Sequence, residues 1–253
     1  MKIGLIQYNP EWEDKKKNQE KLNRLLSQTK REENILVFPE MTLTGFTMNA
    51  SSFAEPLNGK SFKYFASVAE KNNADVFAGL IEEHGSQFYN SLLHINSKGQ
   101  LKSVYRKIHP FSYSMEDKHY LKGTETKVTN IDDLKIGLSI CYDLRFPELY
   151  RFYGKARTEL IIVIANWPVT RIEHWRTLLK ARAIENQCYV VGVNRVGADP
   201  KLIYNGYSSL FDPMGNEMIS SFDTETILTA DVNIDYVKEV RNKLPFLNDI
   251  TLI

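Results

Sequence analysis

Apolar residues follow two rhythms along this chain. Short, nearly continuous apolar blocks at 2–8 (KIGLIQY), 35–38, 76–81, 135–141 (KIGLSIC), 160–165 and 188–193 read as buried strands. Between them, apolar residues recur every three or four positions, the spacing of an amphipathic helix. One helix is expected over 15–32, with Leu22, Leu25, Leu26 and Thr29 on one face. A second lies around Phe62, Phe65, Ala66 and Ala69, and a third spans 171–187 with Trp175, Leu178, Leu179 and Arg182 along one side. Pro147 opens another, as proline does at a first helical position. Residues 88–96 and 101–107 read as a hairpin around Ser97-Lys98-Gly99, and two further strands are expected near 204–211 and 226–232.

Each half therefore has the order β-α-β-α-β-β-β, and the tetrapeptide Lys-Ile-Gly-Leu opens both, at Lys2 and at Lys135. This predicts an α/β fold with an internal pseudo-two-fold duplication: two sheets face to face with helices outside, a four-layer αββα sandwich. No Pro/Gly/Ser-rich linker parts the halves, so they should share one core. The expectation is a single domain over 1–253, with pseudo-repeats at about 1–133 and 134–233 and a tail over 234–253. That tail carries Leu244, Phe246, Leu247, Ile250, Leu252 and Ile253, apolar surface that a second copy of the chain could cover.

Composition narrows the class. The 253 residues carry a formal net charge of +1, so no field of one sign recruits nucleic acid or an anionic membrane. No apolar stretch approaches the roughly 20 residues that span a bilayer. Gln7, Asn9 and Glu11 interrupt the first apolar run too early for a signal peptide. Two cysteines, Cys141 and Cys188, make no disulfide framework and no zinc spacing, and point to a cytoplasmic protein. The five histidines include no H-E-x-x-H, so no metal is expected, and without a G-x-G-x-x-G or P-loop no nucleotide cofactor is expected.

In sheets of this kind, sites form beyond the C-terminal ends of strands. Glu40 lies just past the second strand, Lys107 ends the hairpin, Cys141 ends the first strand of the second half, and Asn166-Trp167-Pro168 follows the next. A carboxylate, an amine and a thiol can thus converge. Singly, each has a structural reading: a solvated strand end, a solvated charge, a small core residue.

Three segments together carry more. Phe38-Pro39-Glu40-Met41-Thr42-Leu43-Thr44-Gly45-Phe46, Tyr105-Arg106-Lys107-Ile108-His109 and Cys141-Tyr142-Asp143-Leu144-Arg145-Phe146-Pro147-Glu148 resemble, in order, the signature segments of the nitrilase (carbon–nitrogen hydrolase) superfamily. The resemblance runs from Lys2 to about Asp231 and implies the same αββα sandwich. It implies that Cys141 attacks an amide carbonyl, that Glu40 carries protons, and that Lys107 and the backbone N–H of Tyr142 stabilise the oxyanion. Ser114-Met115-Glu116-Asp117-Lys118-His119-Tyr120 resembles a loop of the omega-amidase-like branch, placing a second carboxylate at Glu116, with Asp117 beside it as the alternative. Ala165-Asn166-Trp167-Pro168, Arg171, Glu173-His174-Trp175 and 181–188 resemble the same branch, whose members hydrolyse the terminal amide of 2-oxo dicarboxylic acid monoamides such as 2-oxoglutaramate.

A small carboxylic acid amide would need a guanidinium, and Arg145 is the candidate; a salt bridge to Glu148 or Asp143 is its structural alternative. Trp167 and Phe46 are candidate pocket walls or ordinary core. Arg182 and Glu185 are expected to pair structurally on their helix. The resemblance also implies a homodimer. Its rivals are hydrolysis of N-carbamoyl amino acids, deaminated glutathione or nitriles; a Cys/His hydrolase using His109 or His174; and a catalytically silent binding member of the fold.

Overall fold

The computed structural model describes residues 1–28 and 32–252. Its first sheet contains β1 (Lys2–Gln7), β2 (Ile35–Val37), β3 (Asp75–His84), β4 (Gln87–Ile95) and β5 (Leu101–Arg106). The second contains β6 (Val128–Ile131), β7 (Leu134–Ile140), β8 (Leu160–Ile164), β9 (Tyr189–Val193), β10 (Val196–Ala198), β11 (Ile203–Phe211) and β12 (Glu217–Phe222). β13 (Thr226–Asp231) returns to the first sheet, whose order is β13-β1-β2-β3-β4-β5; the second runs β10-β11-β9-β8-β7-β6, with β12 on β11. β1, β2 and β3 are parallel, as are β7, β8 and β9.

Alternation along β2 shows how the layers form. Ile35 and Val37 join Leu138, Ile140 and Ile162 in the core between the sheets. Leu36 and Phe38 face the other way, onto Leu22 and Leu26 of α1 (Lys15–Ser27) and Phe65 and Ala69 of α3 (Lys60–Asn72). A short α2 (Ala50–Phe53) precedes α3. On the far side, α4 (Pro147–Lys155) and α5 (Ile172–Asn186) cover the second sheet. The α5 layer approaches so closely that a Cβ at Gly192 would lie 2.3 Å from Leu179 and 2.7 Å from Trp175. The αββα sandwich expected from the sequence is the architecture observed.

Several boundaries differ from expectation. α1 stops at Ser27, and Thr29 lies outside the described residues. β5 ends one residue before Lys107, and β7 ends at Ile140, so Cys141 opens a 3₁₀ turn over Cys141–Arg145. β6 precedes residue 134 yet hydrogen-bonds β7 in the second sheet, while β13 crosses back to pair with β1, Lys2 opposite Asp231. The two stretches are interlaced at their ends. The tail forms α6 (Ile234–Lys243), where the Arg241 guanidinium donates to the carbonyls of Thr158, Asn186 and Gln187 and ties the tail to the ends of α4 and α5. No described helix is long and apolar enough to cross a membrane.

Candidate active site

Three turns aim their side chains at one end of the sandwich. The first follows β2. Phe38 N–H donates to Phe77 O (2.8 Å) and Thr42 N–H to Gly79 O (2.8 Å), clamping the Pro39–Met41 turn against β3. Gly79 is required here: a Cβ would lie 2.6 Å from Met41 N and 2.7 Å from Glu40 Cα. Asn18 of α1 donates to Leu43 O (2.8 Å) and braces the other end of the turn. Glu40 is thereby held with its carboxylate fully buried.

The second turn leaves β5. Lys107 N–H continues the ladder to Asn90 O (2.9 Å), so Lys107 and Asn90 are cross-strand neighbours. A 3₁₀ loop then brings up Glu116, pinned by the Phe111 N–H to its Oε2 (2.6 Å). Lys107 Nζ sits between two carboxylates, 2.9 Å from Glu40 Oε1 and 2.8 Å from Glu116 Oε2. Of the two sequence candidates for the second carboxylate, Glu116 therefore reaches the lysine. Asp117 is exposed and pairs with Lys118.

The third turn carries Cys141 at φ +49°, a left-handed conformation that a non-glycine residue holds only when its surroundings enforce it. The enforcing group is Asp143. Its buried carboxylate accepts from Ile140 N–H (3.0 Å), Tyr105 OH (2.7 Å), His109 N–H (2.9 Å) and His109 Nδ1 (2.8 Å). This engages His109, which also stacks on Phe146 at 3.7 Å. His174 is exposed, with Nδ1 3.3 Å from Arg145 Nη2. Neither histidine lines the pocket at Cys141.

Burial and charge set the protonation states. Burial would push the Glu40 carboxyl up, but the Lys107 ammonium and the hydrogen bonds from Lys107, Asn90 and Asn166 hold it below its ordinary 4.5. Burial likewise raises Glu116; there the Lys107 charge does not overcome it, and the neighbouring Glu40 charge adds to the rise. Burial thus outweighs the lysine at Glu116 and is outweighed at Glu40. Burial alone would lower Lys107, but the two carboxylates lift it well above the usual lysine range. The enclosed Cys141 thiol is pushed well up by burial and then by the Glu40 charge, so it rests as a neutral thiol.

The thiol opens into a pocket lined by Phe46, Trp167, Arg145, Arg171, Tyr142 and Tyr204, among others. Phe46 and Trp167 are thus placed on its wall, Phe46 also lying 5.2 Å from Lys107 Nζ. Arg145 makes no salt bridge to Glu148 or Asp143; its guanidinium lies 4.7 Å over the Trp167 ring. Arg171 lies 5.6 Å over Phe111. Among the described residues neither arginine has an acidic partner, and their mutual repulsion joins burial in lowering the Arg145 pKa. Beyond Phe46, Phe111 and Arg171 a wider, mainly apolar mouth includes Trp12, Tyr113 and Met115. Arg182 pairs with Glu185 at 3.0 Å, as its spacing predicts. Cys188 is fully buried, and burial pushes its thiol up to about 12.

Sequence reasoning missed two residues of the cluster. Asn90 donates through Nδ2 to Glu40 Oε1 and to Glu116 Oε1, both at 2.8 Å. Asn166 donates its backbone N–H to Glu40 Oε2 (2.9 Å) and its Nδ2 to Glu40 O (2.8 Å). The available signal was an asparagine inside an otherwise buried strand, and another at a strand end. Among the described residues, no group of three or more His, Cys, Asp and Glu side chains is arranged to hold a metal ion.

Comparison with known proteins identifies the family. The carbon–nitrogen hydrolase family model matches residues 2–242. A "hydrolase in agr operon" of Staphylococcus aureus is 31% identical over 257 residues, covering 100% of this chain and 98% of that one. A 2-oxoglutaramate amidase of Bacillus subtilis (strain 168) is 30% identical over 250 residues, covering 98% and 96%. Among solved structures, XC1258 of Xanthomonas campestris, a CN-hydrolase superfamily protein with an arsenic adduct in its active site, superposes with a TM-score of 0.95 at 29% identity, covering 100% of this chain and 98% of that one. The chain belongs to the carbon–nitrogen hydrolase family and is a hydrolase of non-peptide carbon–nitrogen bonds.

Proposed function

We propose that this protein removes the terminal amide of a small carboxylic acid of the 2-oxoglutaramate or 2-oxosuccinamate type, yielding the acid and ammonia through a thioester on Cys141. One observation carries this reading. Cys141 lines a pocket whose wall holds two arginines with no ion pair among the described residues, and the charges of the buried Glu40 and Lys107 behind it act on its thiol. An acid amide brings the missing anion, and its carboxylate suits a guanidinium fork. The resemblance to a 2-oxoglutaramate amidase adds support.

In this mechanism Cys141 Sγ attacks the amide carbonyl as Glu40 takes the thiol proton, because a thiol is a poor nucleophile until it becomes a thiolate. Charge builds on the carbonyl oxygen, where the positive charge of Lys107 and a hydrogen bond from the Tyr142 N–H stabilise it; such a donor is worth about 3 kcal/mol. Glu40 returns its proton to the leaving nitrogen, the C–N bond breaks, and ammonia departs. A water then gives a proton to Glu40 and attacks the thioester; the C–S bond breaks, Glu40 passes that proton to the sulfur, and the acid leaves with the thiol and the carboxylate restored. Glu116 holds Lys107 from the side opposite Glu40.

The wide apolar mouth favours one second reading, an acid amide with a longer body such as deaminated glutathione. Ammonia release from 2-oxoglutaramate and from deaminated glutathione, each by wild type and by Cys141→Ala, tests both. Faster release from 2-oxoglutaramate, lost in the variant, is expected; release only from the larger amide favours the second reading.

We place the protein in the cytoplasm on its two free thiols. A homodimer through α4 and the tail is supported by Phe152 and Phe246, which leave apolar area exposed on that face. Sedimentation should give twice the chain mass at micromolar concentration, and a monomer there would overturn it.

A further inference from the structure

Asn90 is buried in β4 and joins both carboxylates of the cluster through one nitrogen. Its orientation follows from its neighbours. Turned over, the amide would point its oxygen at two carboxylates, whereas in the observed pose both are acceptors and Oδ1 is left without a partner.

The donors can be counted. Lys107 has three N–H groups, and its contacts take up Glu40 Oε1, Glu116 Oε1 and Glu116 Oε2. The Phe111 N–H adds a second donor to Glu116 Oε2, and Asn166 serves Glu40 Oε2. Each Oε1 would be left with the lysine alone were it not for Asn90. Two buried carboxylates beside one lysine carry an excess negative charge. Such a pair relieves its repulsion by taking up one proton and sharing it, which raises the pKa of at least one member. The amide opposes this by giving each Oε1 a donor, which favours the ionised form of both carboxyls, and it adds no charge of its own.

We propose that Asn90 is a positioning residue that keeps Glu40 and Glu116 from sharing a proton, so that Glu40 enters the reaction ionised and ready to accept the Cys141 proton. The inference rests on Glu40 being the base of the amide hydrolysis proposed above. Asn90 touches neither the thiol nor the pocket; it acts through the two carboxylates. The β4–β5 ladder that pairs it with Lys107 makes the device part of the sheet and not of a loop.

The test compares wild type, Asn90→Leu and Asn90→Ser. Two pH profiles are measured for each: kcat/KM on 2-oxoglutaramate, and the rate of Cys141 alkylation by iodoacetamide, which needs the same base and no amide substrate. Leucine removes both donors at similar volume. Its acid limb should move upward by about one pH unit in both profiles, the effect of a lost hydrogen bond to a charged group. Serine keeps one O–H for two carboxylates, should shift the limb by less, and stands in for leucine should that variant not fold. A rate that falls evenly across pH with an unmoved acid limb would overturn the proposal and leave Asn90 a packing residue. A wild type that is alkylated at Cys141 but hydrolyses no acid amide would instead contradict the functional reading, and the alkylation profiles would still decide Asn90.

Discussion

Charge is handled in opposite ways on the two sides of Cys141. Behind it, Glu40, Lys107 and Glu116 are buried and satisfied, and donors from Asn90, Asn166 and Phe111 complete their carboxylate oxygens. In front, Arg145 and Arg171 lie against aromatic rings and form no ion pair among the described residues. A buried ion cluster with every partner in place is rigid and holds its protonation states without substrate. A half-buried guanidinium without an anion can accept one from solution. The satisfied side fits a chemical role, and the unsatisfied side fits recognition.

Breaking the satisfied side should cost most. Lys107→Met leaves two buried carboxylates without their cation, which should destabilise the fold by about 3–5 kcal/mol and abolish turnover. Denaturant unfolding checks the first effect and ammonia release the second. A variant of wild-type stability would mean that water already reaches the cluster.

Breaking the unsatisfied side should act on binding. Arg145→Met should raise KM for a carboxylate-bearing amide by about 10–100-fold, the worth of a charge-assisted hydrogen bond, and change KM little for a neutral amide of the same length. Its stability should move by no more than about 1 kcal/mol, because no native ion pair is lost. An equal rise in KM for both amides would make Arg145 a wall and not an anion receptor.

The acid response sharpens the same contrast. The folded Glu40 carboxyl lies below its ordinary 4.5. Its stabilising contribution is therefore fully present above the unfolded value and is lost as pH falls through the folded value. The acid limb of kcat/KM should lie below 4.5, and thermal stability should fall over the same range. A limb well above that value would mean that Lys107 and the amide donors fail to hold Glu40 ionised.

The smallest effect is expected at the other thiol. Cys188 is buried like a core residue and has no place in the pocket, so Cys188→Ala should cost about 1 kcal/mol of stability and leave turnover unchanged. A loss of turnover at wild-type stability would require a role for this thiol that packing does not provide.

Much of this was legible in the sequence. Continuous apolar blocks located β1, β2 and β3, which are buried on both faces, and period-3.6 patterns located the covering helices, because burial leaves a signature in residue order. The motif segments brought Glu40, Lys107, Glu116 and Cys141 to one place. Pairing between distant strands leaves no such trace: β13 joins β1, and Lys2 is opposite Asp231 through backbone bonds that any side chain permits. β12 escaped notice because its alternating exposure makes Met218, Ser220 and Phe222 read as loop. The roles of Asn90, Asn166 and Asp143 were missed for a related reason. Their importance lies in which atoms they meet across the fold, and an asparagine in a strand or an aspartate in a turn does not name its partner.

The central claim is that Cys141 carries the acyl group. Acid-quenching wild-type enzyme during turnover of 2-oxoglutaramate and weighing the proteolytic peptide that contains Cys141 tests it most directly. The account predicts a peptide heavier by the acyl group, formed as ammonia is released and absent from Cys141→Ala. Ammonia release with the Cys141 peptide unmodified throughout, and persisting in the Cys141→Ala variant, would contradict it.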